Sequence, residues 1–134
     1  MKKASKAKKP KKRSITSLKK ELWKYFSLYI RQRDNFRCFT CDRYATGGGM
    51  HAGHFITNSI GGVGLRYEET NVHAQCYHCN INLSGNWVEY RERMIVLYGE
   101  EHVKSLEARR HEITKDFDYM AKIEHYKALV DNSG

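Results

Sequence analysis

A chain of 134 residues is long enough for one ordinary domain and too short for two, so a single compact unit is the expectation. Its formal charge of +9 sits at one end: the first twenty residues hold ten of the 24 Lys and Arg and no acid, leaving 14 basic against 15 acidic groups in residues 21–134. There is no apolar run of membrane-spanning length, and the basic start does not lead into a signal-peptide core, which excludes a helical membrane protein and this route of export and makes the cytoplasm the expected compartment.

In chain order, residues 1–16 are expected to form a disordered basic tail, with the domain filling residues 17–134. Lys8, Lys9, Lys11, Lys12 and Arg13 surround Pro10 with few apolar side chains nearby, so ordering them would bury too little surface to offset the lost entropy. Such a run is either a solvated tail or a nucleic-acid arm. The arm is preferred, because lysines of this kind neutralise phosphates and release counterions without choosing a sequence. From Ser17 to Arg33, the residues Leu18, Leu22, Tyr25, Phe26, Tyr29 and Ile30 recur at helical spacing and predict an amphipathic helix.

Between Asn35 and Ser84 this periodicity disappears, and glycine clusters at 47–49 and 61–64 punctuate short strands near Met50–Ile56 and Asn71–Gln75. The second cluster lacks the Lys and Ser or Thr of a phosphate-binding loop and reads as a flexible loop. Helical spacing returns through Trp87, Tyr90, Met94, Leu97 and Tyr98, with Gly99 placed to close the helix in a left-handed conformation. A further helix is expected from about Glu101 to His111. Thr114 is the expected N-cap of a last one carrying Phe117, Met120, Ile123, Tyr126 and Val130. These apolar stripes read as core packing.

All four cysteines fall in two pairs, Cys38-x2-Cys41 and Cys76-x2-Cys79. A two-residue gap lets both thiolates of a pair face one tetrahedral ion, so in a reducing compartment the two pairs predict a four-cysteine zinc site. Four thiolates close the coordination sphere, which makes this Zn²⁺ structural and leaves any chemistry to a second metal.

Between the pairs stand His51-Ala52-Gly53-His54-Phe55 and Asn71-Val72-His73-Ala74-Gln75-Cys76, and Asn80 follows Cys79 directly. Together with Leu83-Ser84-Gly85-Asn86, these blocks resemble the lambdoid phage NinG (Rap) recombination proteins, which belong to the His-Asn-His (ββα-metal) endonucleases. The Asn immediately after the last zinc cysteine is similar to phage endonuclease VII, a junction resolvase. The resemblance implies an α+β fold: a small ββα-metal core with the four-cysteine zinc site, flanked by an N-terminal helix and C-terminal helices. It implies His54 as general base, Asn80 and His51 as ligands of a catalytic Mg²⁺ or Mn²⁺, and Asn71 as the residue bracing the hairpin.

Phosphodiester hydrolysis suits these roles. An imidazole with a pKa near ~6.5 is largely neutral at physiological pH and can take a proton from water, while one cation can stabilise the departing oxygen. His51 stands where the family usually has an acid, which moves the metal preference away from Mg²⁺. On a regular strand positions 51 and 54 face opposite sides, so a bulge at Gly53 is expected. His73 and Arg66 are candidate DNA contacts, with a structural role for His73 and a solvated surface for Arg66 as the open alternatives.

The implied substrate is DNA, in particular four-way junctions or displacement loops, cut by a homodimer; the cytoplasm would be that of the phage's host. A nicking or restriction-type nuclease and a catalytically inactive zinc DNA-binding module are the competing expectations.

Overall fold

The computed structural model describes residues 12–45, 47–57 and 62–132; Lys8, Lys9 and Lys11 of the expected arm lie outside the described residues. The predicted first helix, α1, runs from Ile15 to Arg33. It starts inside the stretch expected to be tail because Ser14 caps it, its Oγ accepting from the Ser17 amide at 3.2 Å. Arg13 pairs with Glu21 and donates to Ser17 Oγ at 2.8 Å, which holds it against the first turn of α1, while Lys12 is exposed.

Two short strands, β1 (Met50–His54) and β2 (Val72–Cys76), form an antiparallel ribbon. The register runs without interruption from Met50↔Cys76 to His54↔Val72, so the bulge expected at Gly53 does not occur. His51 and His54 therefore leave opposite faces of the ribbon, as alternation requires. Gly53 answers a different need. A Cβ at this position would lie 1.9 Å from Gln75 Oε1 and 3.0 Å from Asn80 Oδ1, and the glycine admits both side chains to the strand.

The link between the strands holds a single helical turn, α2 (Val63–Arg66), where the glycine cluster had suggested a flexible loop. The turn is held from a distance. Asn71, fully buried, donates to Leu65 O at 2.9 Å and to Ile56 O at 3.1 Å, and accepts from the Ile56 amide at 2.8 Å. One carboxamide thus satisfies backbone groups from both ends of the link, each of which would be costly to bury unpaired.

β2 runs into a wide helical turn at His78–Asn82, followed by α3 (Trp87–Tyr98), α4 (Glu100–Ala108) and α5 (Tyr119–Asp131). Gly99, at φ +90°, ends α3 and opens α4 within one residue, a backbone state that L side chains rarely adopt. Thr114 does not cap α5. Asp118 does, its Oδ1 accepting from the Ala121 amide at 3.0 Å, whereas the Thr114 hydroxyl lies against Gly64.

Hydrophobic packing divides across the ribbon. Ala52 and Val72 pack with Leu22, Phe26 and Ile30 of α1 and with Ile123 and Tyr126 of α5, Phe26 meeting Tyr126 edge-on at 4.9 Å. Phe55, Ile56 and Leu65 pack with Tyr90 and Met94 of α3 and with Val103 and Leu106 of α4. Leu97 and Met120, expected in the stripes, are exposed instead. Among the described residues no helix is long and apolar enough to cross a membrane.

Candidate functional site

The four cysteines converge. Sγ atoms of Cys38, Cys41, Cys76 and Cys79 all lie within 4.8 Å of one another, and Cys41 and Cys76 are 3.7 Å apart. Four thiolates at ~2.3 Å from a tetrahedral zinc ion would be spaced by ~3.8 Å. The first pair is turned by the Cys38 amide donating to Arg43 O at 2.7 Å and by Asp42, at φ 66°, whose amide donates to Cys38 O at 2.9 Å. Asn86, also in the left-handed region, brings its amide within 3.8 Å of Cys79 Sγ.

Crowding sets the charge of this group. Burial, together with the other three thiols, pushes Cys41 up to about 12, and burial raises Cys79 as well. Cys41 is the exposed member of the four; Cys38 is buried, but the Thr40 hydroxyl and backbone amides more than compensate and bring it to about 7. Four sulfurs this close cannot all ionise unless a cation neutralises them, so the donor set fits a metal such as zinc. His78 is not part of the set: it is exposed and sits 3.3 Å from the Asn82 amide.

Directly after Cys79, the helical turn places Asn80 in the walls of two cavities. One, of about 500 Å³, is lined by Trp23, Ser27, Arg31, His51 and Asn80 among others. The other, of about 320 Å³, is lined by His54, Phe55, Ser84, Trp87 and Asn80 among others. Asn80 Nδ2 lies 3.1 Å from His51 Nδ1. Of the two histidines that the ribbon sends in opposite directions, one touches this carboxamide and the other lines a cavity with it.

His54 is half-buried, its ring stacked on Trp23 at 5.2 Å with a 19° interplanar angle. Its Nε2 lies 3.0 Å from the backbone oxygen of Arg66. A carbonyl oxygen can only accept, so Nε2 carries the proton and Nδ1 keeps its lone pair. Burial, reinforced by the Arg66 charge, pushes His54 down to about 4, so it is neutral well below physiological pH. Arg66 itself lies half-buried above the Trp23 ring at 5.0 Å, and its Nε donates to the Tyr67 hydroxyl at 3.2 Å.

His73, a candidate DNA contact, is closed off from the surface. It is 1% exposed, stacked on Phe39 at 4.1 Å, and both ring nitrogens are taken, Nδ1 by the Tyr90 hydroxyl at 2.9 Å and Nε2 by the Tyr98 hydroxyl at 2.7 Å. The Tyr90 hydroxyl gives its proton to Gly53 O at 2.7 Å, so it must accept from His73 Nδ1–H, which in turn leaves Nε2 to accept from Tyr98. The row from Tyr98 through His73 and Tyr90 to Gly53 needs a neutral imidazole. Burial and the charge of Arg33 hold His73 down to about 3.

His54 and His73 both stay unprotonated in the folded chain far below the ~6.5 of an unfolded histidine. Between ~6.5 and the folded values the unfolded chain binds more protons, so their contribution to stability is complete above ~6.5 and is lost as pH falls. The urea midpoint is expected to drop steadily from pH ~6.5 toward ~5, and a midpoint that stays level or rises over that interval would contradict the placement of both rings.

Trp23 stands at the edge of the apolar stripe of α1, packed against its core, and helical spacing alone gives it no role beyond packing. Trp87, expected in the core, is 50% exposed and stacks flat on Phe55 at 5.9 Å beside His54. Gln75 is fully buried and lies against Gly53, its Nε2 donating to Gly85 O at 2.8 Å and to Thr40 Oγ1 at 3.2 Å. Arg33 serves the fold, bridging Asp34, Glu69 O and Val72 O.

Residues 1–133 match the family model described as Bacteriophage Lambda NinG protein. Protein ninG of Escherichia phage lambda is 36% identical over 106 residues, covering 77% of this chain and 51% of the relative. The Protein ninG sequences of Escherichia phage 933W and Salmonella phage P22 are each 35% identical over 106 residues and 77% of this chain, which covers 52% and 51% of them. The chain spans about half the length of the curated relatives it matches. No solved structure matches it. With nearly its whole length covered by that one model, the chain belongs to the bacteriophage lambda NinG family.

Proposed function

We propose that the chain is a metal-dependent DNA endonuclease of the His-Asn-His type, hydrolysing phosphodiester bonds in branched recombination intermediates such as four-way junctions and displacement loops. The observation that carries this reading is the position of Asn80, which touches His51 and shares a cavity with His54. A divalent cation held by His51 and Asn80 would supply positive charge for the departing oxygen and the scissile phosphate. His54 would take the proton from the attacking water on Nδ1, while its bond to the Arg66 carbonyl and its stack on Trp23 hold the ring in place. Asn71 and Gln75 keep the link and the strand fixed beside it.

His51 and Asn80 offer an imidazole nitrogen and an amide oxygen, and no carboxylate lines either cavity among the described residues. Such donors suit Mn²⁺ or a softer ion better than Mg²⁺. The same observation favours one other reading, a zinc module that binds DNA without cutting it. Zinc is the proposed occupant of the cysteine site in both. A junction has two symmetry-related strands to cut, so the nuclease is proposed to act as a homodimer.

The deciding experiment incubates the full chain with labelled linear duplex and four-way DNA in Mg²⁺ or Mn²⁺. Cleavage is expected in Mn²⁺, with the junction cut faster than the duplex. Binding without cleavage in either metal would replace the nuclease by the binding module, and equal rates on both DNAs would keep the nuclease and remove the branched substrate.

A further inference from the structure

Six arginines are half-buried among the described residues: Arg31, Arg33, Arg66, Arg91, Arg93 and Arg109. Four are neutralised by carboxylates, Arg33 by Asp34, Arg91 by Glu107, Arg93 by Asp42 and Glu89, and Arg109 by Glu68 and Glu112. Arg31 and Arg66 have no carboxylate partner among the described residues, and both adjoin Trp23. Arg66 lies over the Trp23 ring near His54, and Arg31 lines the cavity that Trp23 shares with His51 and Asn80.

Arg31 stands in the last turn of α1, where its Nε donates to Ser27 O at 3.1 Å. That bond anchors one edge of the guanidinium and leaves its terminal N–H groups for the cavity. A basic residue in a last helical turn can simply complement the helix dipole, but a side chain extended into solvent does that equally well. Here the charge is drawn partly out of water against neutral groups, an arrangement that costs free energy until an anion arrives. The other polar side chains in the wall are Ser27, His51 and Asn80, and no carboxylate is there to repel an anion.

We propose that Arg31, in the cavity that also holds His51 and Asn80, is an anion subsite that takes a phosphodiester oxygen of the DNA strand beside the bond to be cut. This rests on the nuclease reading and deepens it: Arg31 grips the backbone at the His51 end of the site and Arg66 sits at the His54 end. The planar fork of a guanidinium matches two phosphate oxygens at once, which an ammonium does not.

The test measures binding of the zinc-loaded full chain to a short fluorescein-labelled DNA duplex by anisotropy, over a range of salt and without added divalent cation, so that nothing is cut. Arg31→Gln is expected to weaken binding about tenfold and to lower the slope of log K against log salt by about one, with zinc content and circular dichroism unchanged. Arg31→Lys should keep the slope and lose affinity severalfold, and it carries the test if the glutamine variant misfolds. The exposed Arg110→Gln controls for lost net charge. An equal loss in Arg110→Gln, or wild-type affinity and slope in the Arg31 variants, would overturn the subsite alone. A wild type that does not bind DNA would overturn the nuclease reading and the subsite with it.

Discussion

His54→Ala is expected to slow DNA cleavage by about 10²–10⁴-fold while the protein keeps its fold, its zinc and its affinity for DNA. The side chain contributes one hydrogen bond, to the Arg66 carbonyl, and one face of a stack on Trp23. It is half-buried, so water can reach the freed carbonyl, and the structural cost stays near ~1–2 kcal/mol. The chemical cost is larger because no other neutral base lines that cavity among the described residues. The measurement is single-turnover cleavage of four-way DNA alongside circular dichroism. A variant that cuts at the wild-type rate would remove His54 from the chemistry, and one that unfolds would make it a residue of the core.

Cys76→Ser should do the opposite, abolishing zinc binding and unfolding the chain. Cys76 is 3% exposed, ends β2, faces Cys41 at 3.7 Å and accepts the Cys79 amide at 3.5 Å. Its neighbours Cys38, Met50, Ala74 and Cys79 form the smallest of the three buried clusters, too small to persist without the ion. Structural zinc contributes ~10–16 kcal/mol in small domains, as large as the ~5–15 kcal/mol that keeps an ordinary domain folded. A chelator should therefore release the metal and the secondary structure together, followed by a chromogenic zinc dye and far-ultraviolet circular dichroism on one sample. A chain that stays folded after its zinc has left would sink the structural role of the site.

Much of this could be read in advance wherever local chemistry decides the outcome. The stripe of α1 and the glycine after α3 are dense signals that a tertiary contact would have to be strong to override, and they place their elements to within a residue or two. The cysteine pairs were equally legible, because a two-residue gap serves few other purposes. What escaped depends on partners distant in the chain. Thr114 and Asp118 are both good caps, and the choice falls to Asp118 because Thr114 is packed against Gly64. A single turn such as α2 shows no period, and the carboxamide of Asn71 that holds it acts from beyond its end.

The strand bulge was expected on the assumption that His51 and His54 had to share a face. The ribbon stays regular, and Asn80 instead touches His51 and lines the cavity that holds His54. His73 escaped for a related reason: alternation can assign it a face, but not the two tyrosines of α3 that close over it.

In the row from Tyr98 to Gly53 every hydrogen points the same way, so the bond dipoles add instead of cancelling. No member can reverse without forcing all the others to reverse, and the last one, a backbone carbonyl, has no hydrogen to give. The row therefore has a single electrical sense, with its positive ends turned toward the residue that precedes His54. A disturbance at the half-buried Tyr98, the last residue of α3, would be felt as a changed field at that strand without any atom there having to move.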